Sequence, residues 1–166
     1  HDIVGVAVFL FVFCAVIFFF PEMGGYFLEK PNFEAANPLK TPAHIAPVWY
    51  FTPFYAILRA VTYPLFGLDA KFWGVVAMGG AIAILFVLPW LDRSPVKSMK
   101  YKGWMSKIAL IAFCIAFVIL GVLGVLPATE ARTTVAQIAS VVYFAYFILM
   151  PFYTRWESTK PVPERV

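Results

Sequence analysis

The chain has 166 residues, of which 62% are hydrophobic, 19% aromatic and only 13% charged, with a net charge of +4. That composition is too apolar for a soluble domain of this length. The basic excess gathers at the ends of apolar runs, so it marks membrane boundaries and gives no reason to expect a nucleic-acid partner.

In chain order, four runs without a charged side chain are each long enough to cross a bilayer core: 3–20, 72–91, 108–126 and 135–153. In hydrocarbon every backbone amide needs an internal partner, so these runs are expected as helices. The reading is an all-α membrane protein: one domain over 1–166, with four transmembrane helices and a long outer loop carrying a short interfacial helix. The first run starts after only two residues, with no initiator methionine, basic n-region or small-residue cleavage site. A fragment that enters its first helix abruptly is the expectation.

Loop 21–71 is long for a connector, and loops of this length are usually functional. It holds most of the chain's prolines and is strongly aromatic. Thr52-Pro53 predicts an N-cap followed by proline at N1, and a short helix from there to about Thr62, with Pro47 as an alternative, earlier start. Phe51 and Tyr55, and Phe54 and Leu58, would share faces of that helix. The expected result is an aromatic lid at the membrane surface. After the second run, Arg93, Lys97, Lys100, Lys102 and Lys107 crowd a short loop. Residues 127–134 predict a turn that makes the last two helices antiparallel. Gly79, Gly80, Gly121 and Gly124 suit close helix contact. The tail after Trp156, with Pro161 and Pro163, is expected to be loose.

Basic residues are denser in 92–107 and after the last run (Arg155, Lys160, Arg165) than in the long loop. The positive-inside rule puts loop 92–107 and both termini in the cytoplasm, and loop 21–71 on the periplasmic face of a bacterial inner membrane. Cys14 and Cys114 lie inside apolar runs, where a thiol acts as a small apolar side chain, and no CxxC spacing points to metal. His44 is a lone loop histidine and is assigned no metal.

The segment Pro47-Val48-Trp49-Tyr50-Phe51-Thr52-Pro53-Phe54-Tyr55-Ala56-Ile57-Leu58-Arg59 resembles the quinol-oxidation signature of the cytochrome b family, whose core usually reads Pro-Glu-Trp-Tyr. His1-Asp2, Asn37-Pro38-Leu39, Thr41-Pro42, Asp92-Arg93-Ser94, Gln137-Ile138-Ala139 and Tyr143-Phe144 fall in the family's order. The resemblance spans nearly the whole chain, yet only the C-terminal part of a cytochrome b.

From residues alone, Trp49 and Tyr50 read as an interfacial aromatic belt, which any membrane protein carries. The resemblance implies instead a quinol-oxidation site made by Ile45, Pro47, Val48, Trp49, Tyr50, Phe51 and Tyr55, with Tyr55 facing the pocket and the mobile iron–sulfur protein. Val48 stands where the family has a glutamate that hydrogen-bonds quinol and carries a proton outward; valine does neither. Asp2 reads first as a helix N-cap favoured by the helix dipole. The resemblance implies a quinone-reduction site at Asp2, with His1 as proton-delivery partner. No catalytic residue is assigned beyond these two sites, and no metal ligand.

Further implications of the resemblance are two b haems ligated by histidines outside this chain, and ubiquinol or ubiquinone as substrate. Implied partners are the N-terminal haem-binding half of cytochrome b, the iron–sulfur protein, cytochrome c1 and membrane lipid, in a homodimeric complex. The implied function is part of ubiquinol–cytochrome c oxidoreductase, with the fragment alone inactive. Two other readings stand beside it. The small subunit of a cytochrome b-f complex resembles the same half but ends after three helices. A non-enzymatic transporter or assembly protein would be expected to break its helices or place charge at the midplane.

Overall fold

The computed structural model describes residues 1–42 and 44–164. The chain divides into two compact units, His1–Ile45 and Ala46–Val166. Each is treated by itself.

The first unit opens with helix α1, Asp2–Phe19, apolar on every side after its first residue and with no buried residue. It ends where Phe20 N–H donates to Val16 O at 2.9 Å and Pro21 cannot continue the ladder. The chain then runs through two 3-10 turns, Met23–Gly25 and Lys30–Phe33. Gly24 and Gly25 take the left-handed φ values of 68° and 97° that let the backbone reverse after the helix. Asn37 Oδ1 accepts Leu39 N–H at 3.0 Å, the side-chain turn expected of an Asn-Pro pair.

The second unit is built around a short helix, α2, Thr52–Ala60, preceded by the 3-10 turn Trp49–Phe51. Its buried residues are Thr52, Pro53, Ala56, Ile57 and Ala60, a single stripe at helical spacing. The stripe packs against α3 (Ala70–Ala83), α5 (Trp104–Val125) and α6 (Glu130–Ile148). The expected interfacial helix is thus also wedged between the ends of its neighbours, its small and apolar stripe meeting the last turns of α5 and the first turns of α3. Two glycines permit the close approach. A Cβ at Gly124 would collide with the Thr52 carbonyl, and one at Gly74 would lie 2.7 Å from Leu58 O. Gly121 faces Pro53, whereas Gly79 and Gly80 face open space and make no close contact within the chain.

Among the described residues, four helical stretches are long and apolar enough to span a membrane: Asp2–Phe19, Ala70–Leu91, Trp104–Val125 and Glu130–Ile148. Among the described residues no strand forms beyond an isolated bridge between Leu65 and Leu68. Prolines set the irregularities. Before Pro89 the second stretch tightens to 3-10 over Ile84–Val87 and resumes as α4, Leu88–Leu91, since proline lacks the N–H an unbroken helix needs. Pro151 likewise separates α6 from α7, Met150–Trp156, so the run expected over 135–153 is two helices. Helix α6 also begins at Glu130, inside the turn expected over 127–134. Thr129 caps it by accepting Arg132 N–H at 3.3 Å, and Glu130 complements the dipole.

Between α5 and α6 the core is aromatic. Phe113 stacks among Tyr143, Tyr146 and Phe147 with centroids 4.6–5.4 Å apart. Tyr143 is 1% exposed and donates to Ala81 O at 2.7 Å, tying α6 to α3. Such interhelical bonds contribute only about 0.6 kcal/mol on average within membranes, so packing carries the contact and the bond fixes its register.

At the opposite end of α5 from α2, the expected loose tail is docked. Gly103 offers α5 no capping side chain, and Glu157 replaces it, accepting Ser106 N–H at 3.0 Å and the Ser106 hydroxyl at 2.5 Å. Lys160 N–H donates to Tyr101 O at 2.8 Å. Asp92 pairs with the buried Lys102 and accepts Ser94 N–H at 3.1 Å.

Candidate functional site

The signature forms a rigid turn. Val48 O accepts Phe51 N–H at 2.9 Å, and the buried Thr52 hydroxyl donates back to Trp49 O at 2.8 Å. Thr52 is thus not the expected N-cap. The backbone is already helical from Trp49, so Thr52 lies inside the coil and its hydroxyl ties the turn to α2 instead. The anchor lies below: Thr52 and Pro53 sit on α5 at Gly124 and Gly121, and Phe54 meets Phe117 edge-on at 6.1 Å.

The predicted residues of this unit separate into two groups. Trp49 and Tyr50 are 73% and 62% exposed, edge to face with centroids 5.7 Å apart, and Val48 is half exposed beside them. Pro47, Phe51 and Tyr55 are half-buried. A recess of about 590 Å³ lies beside the C-terminal end of α2, among Ile57, Ala60, Ala77, Gln137 and Phe144, and no residue of 47–51 lines it. The remaining candidates belong to the first unit. Ile45 and His44 are exposed at its end. His1 holds the N-cap position of α1 without a side-chain cap bond, and Asp2 stands in the first helical turn, where the dipole favours its charge. Asp2 is therefore not itself the cap.

Two side chains that the sequence reading left without a role fix this region. Arg59 reaches from α2 to the C-terminal carbonyls of α5, donating to Leu123 O and, at 3.1 Å, to Leu126 O. Its guanidinium lies 4.7 Å over the Tyr55 ring, so the charge both neutralises a helix end and holds the tyrosine face. Its Nε is buried without a partner among the described residues. Gln137 Nε2 donates to Ala60 O at 3.0 Å and Thr62 Oγ1 at 3.1 Å, closing the C-terminal end of α2. The i,i+4 spacing of Tyr55 and Arg59 was a readable signal for the first; the second stood out only within Gln137-Ile138-Ala139 as part of the resemblance, with no role attached.

Haem chemistry needs axial donors on facing helices. The chain's two histidines are His1, at a helix start, and His44, in a loop. That donor set does not fit a haem.

A family model described as Cytochrome b(C-terminal)/b6/petD matches residues 35–144. The chain is 62% identical over 165 residues to the cytochrome b of Allochromatium vinosum, covering 99% of this chain and 39% of that protein. It is 45% identical to the cytochrome b of Rhodospirillum rubrum, over 98% of this chain and 38% of the relative. Among solved structures it resembles a chain of a hyperthermophilic respiratory Complex III, with a TM-score of 0.75, 36% identity, and 92% and 37% of the two chains covered. The chain thus spans well under half the length of the relatives it matches.

Proposed function

This chain belongs to the cytochrome b C-terminal family, and from that premise we propose that it supplies the quinol-oxidation surface, and part of the quinone-reduction site, of a ubiquinol–cytochrome c oxidoreductase. It is a multi-pass membrane protein with four apolar helices. The observation that carries the proposal is the turn Trp49–Phe51. It presents two large exposed aromatics on a base held by Thr52, Gly124 and Arg59. Exposed aromatic surface on so fixed a base is suited to being covered, by a flat substrate and by a partner's docking face.

In this reading Ile45, Pro47, Val48, Trp49, Tyr50, Phe51 and Tyr55 form one wall of the oxidation pocket. The facing wall and the axial ligands of two b haems come from the haem-binding N-terminal half. Haems held there would supply the electron-transfer chemistry. The residues of this chain orient the quinol ring, exclude water and present the site to the iron–sulfur protein, with cytochrome c1 in the same homodimeric, lipid-embedded assembly. At the other site, Asp2 exchanges a proton with quinone and His1 assists its delivery. The fourth span favours this reading over a three-helix b-f subunit, and the uncharged spans 72–91 and 108–126 favour it over a transporter.

The test is Tyr55→Ala in the assembled complex. Loss of the ring removes the pocket rim and the face held by Arg59, so quinol-driven cytochrome c reduction should fall at least tenfold, the effect of about 1.4 kcal/mol in the barrier. Haem spectra should be unchanged. Normal turnover would remove Tyr55 from the site.

A further inference from the structure

Where α5 meets the docked tail, a polar cavity and an apolar groove share one side chain. The cavity, about 330 Å³, is lined by Lys102, Gly103, Trp104, Lys107, Ser158 and Lys160. The groove, about 350 Å³, runs along Trp104, Ile108, Ala109, Leu149, Phe152 and Trp156. Trp104 lines both and is 67% exposed. The charges facing the cavity are unequal. Lys102 is neutralised by Asp92, and Glu157 is engaged with Ser106, whereas Lys107 and Lys160 are exposed with no ion-pair partner among the described residues. Around them, the segment 92–107 carries five basic side chains against one acidic.

We propose that this is a binding site for an anionic phospholipid, its phosphate between Lys107 and Lys160 and an acyl chain in the groove below Trp104. Three features converge on that occupant. The cavity lies at the charged end of a spanning helix, the level of lipid headgroups, where basic pockets attract anionic lipid. The groove begins where the cavity ends and continues along the apolar part of the same helix, α5, in the direction an acyl chain would take. A tryptophan stands at their junction, the residue that favours the boundary between headgroup and hydrocarbon. The site fastens the tail too, since Lys160 is held through its backbone to Tyr101 and the lipid would bridge it to Lys107 on α5.

Vesicle reconstitution of the protein in its native assembly tests this. Phosphatidylcholine vesicles are doped with brominated phosphatidylglycerol or brominated phosphatidylcholine, and the Trp104 emission is isolated by difference against Trp104→Phe. Brominated phosphatidylglycerol should quench that emission selectively, with selectivity falling roughly fivefold for each lysine removed and weakening as salt rises. Lys107→Gln with Lys160→Gln should abolish the selectivity; both side chains are exposed, so folding is unaffected, and Lys107→Arg with Lys160→Arg should retain it. Equal quenching by both lipids, or selectivity surviving the double glutamine variant, would overturn the proposal. So would relief of quenching by inorganic phosphate at constant ionic strength, which would make this a free-anion site. Protection of Trp104 from both lipids would instead assign the face to a protein partner and equally defeat it.

Discussion

Val48 stands where the family's usual signature carries a glutamate, and its side chain is half exposed on a turn whose backbone is fixed by its own carbonyl. A valine at that place neither accepts nor releases a proton, so in the proposed reading the proton of quinol would leave by another group. Val48→Ala removes two methyl groups from a half-exposed site and should lower quinol oxidation only slightly, leaving its pH profile in place. Val48→Glu adds a carboxylate beside Trp49 and Tyr50, whose apolar surroundings disfavour the charged form and raise its pKa above the ordinary value. A new titration should then appear in the rate, with the faster, proton-accepting form present only above that pKa. Rate against pH for parent and both variants reads the difference; a profile displaced by Val48→Ala alone would show that the methyl groups shape the proton route. Arg59 supplies the contrast at this scale. As a charge among apolar neighbours it would be costly alone, and it is retained by the two α5 carbonyls and the Tyr55 ring.

Helix α2 depends on being close to its neighbours, and that closeness was only partly readable. Gly124→Ala must push α2 away from α5, because the added methyl meets backbone oxygen and not a side chain that can turn aside. Overpacking of this kind costs about 1–3 kcal/mol. The variant should lower the unfolding midpoint in detergent, whereas Gly79→Ala, which meets open space, should leave it level or raise it slightly. Similar midpoints for the two would mean that α2 is not wedged as described. The sequence pattern distinguished neither glycine from the other, since a glycine inside an apolar run has no side chain to reveal which way it faces. The four spans were legible because hydrocarbon length and charge exclusion are properties of a run. The start of α6 was not, because its first turn carries Glu130 and Arg132, charges that complement a helix end but fall outside a search for uncharged runs. The docked tail was hidden for a different reason: Pro161 and Pro163 signal disorder, while the contact that matters is a single carboxylate, Glu157, meeting a helix 51 residues earlier in sequence. At the candidate site, the exposed turn was legible from its proline and aromatics and the Tyr55–Arg59 pairing from its spacing, whereas the bonds that Arg59 makes to α5 and Gln137 to the end of α2 were not, being long-range in sequence.

In the proposed reading the two sites serve opposite faces of one membrane, which would separate proton release from proton uptake and make orientation part of the function. Asp2→Asn keeps size and polarity at the start of α1 but cannot exchange a proton near neutral pH. It should therefore slow reoxidation of the b haems by quinone several-fold while sparing quinol oxidation. Pre-steady-state haem traces with the oxidation site blocked separate the two steps, and equal slowing of both would leave Asp2 a dipole partner only. The sidedness itself rests on charge. The connection 92–103 carries Arg93, Lys97, Lys100 and Lys102 within a short stretch, whereas Lys30, Lys40 and Arg59 are spread through the long stretch before α3 and Lys71 stands in its first turn. Basic side chains close to a span resist translocation, so the first connection is expected on the cytoplasmic side and the second on the outer side. Glu34→Cys and Lys97→Cys, each in a background lacking Cys14 and Cys114, convert that argument into a measurement. An impermeant thiol reagent added to intact cells should modify the cysteine at position 34 and reach position 97 only after permeabilisation. The reverse pattern would place the signature turn at the cytoplasmic face and Asp2 at the outer one. The oxidation and reduction assignments would then exchange sides, and the direction of proton transfer with them.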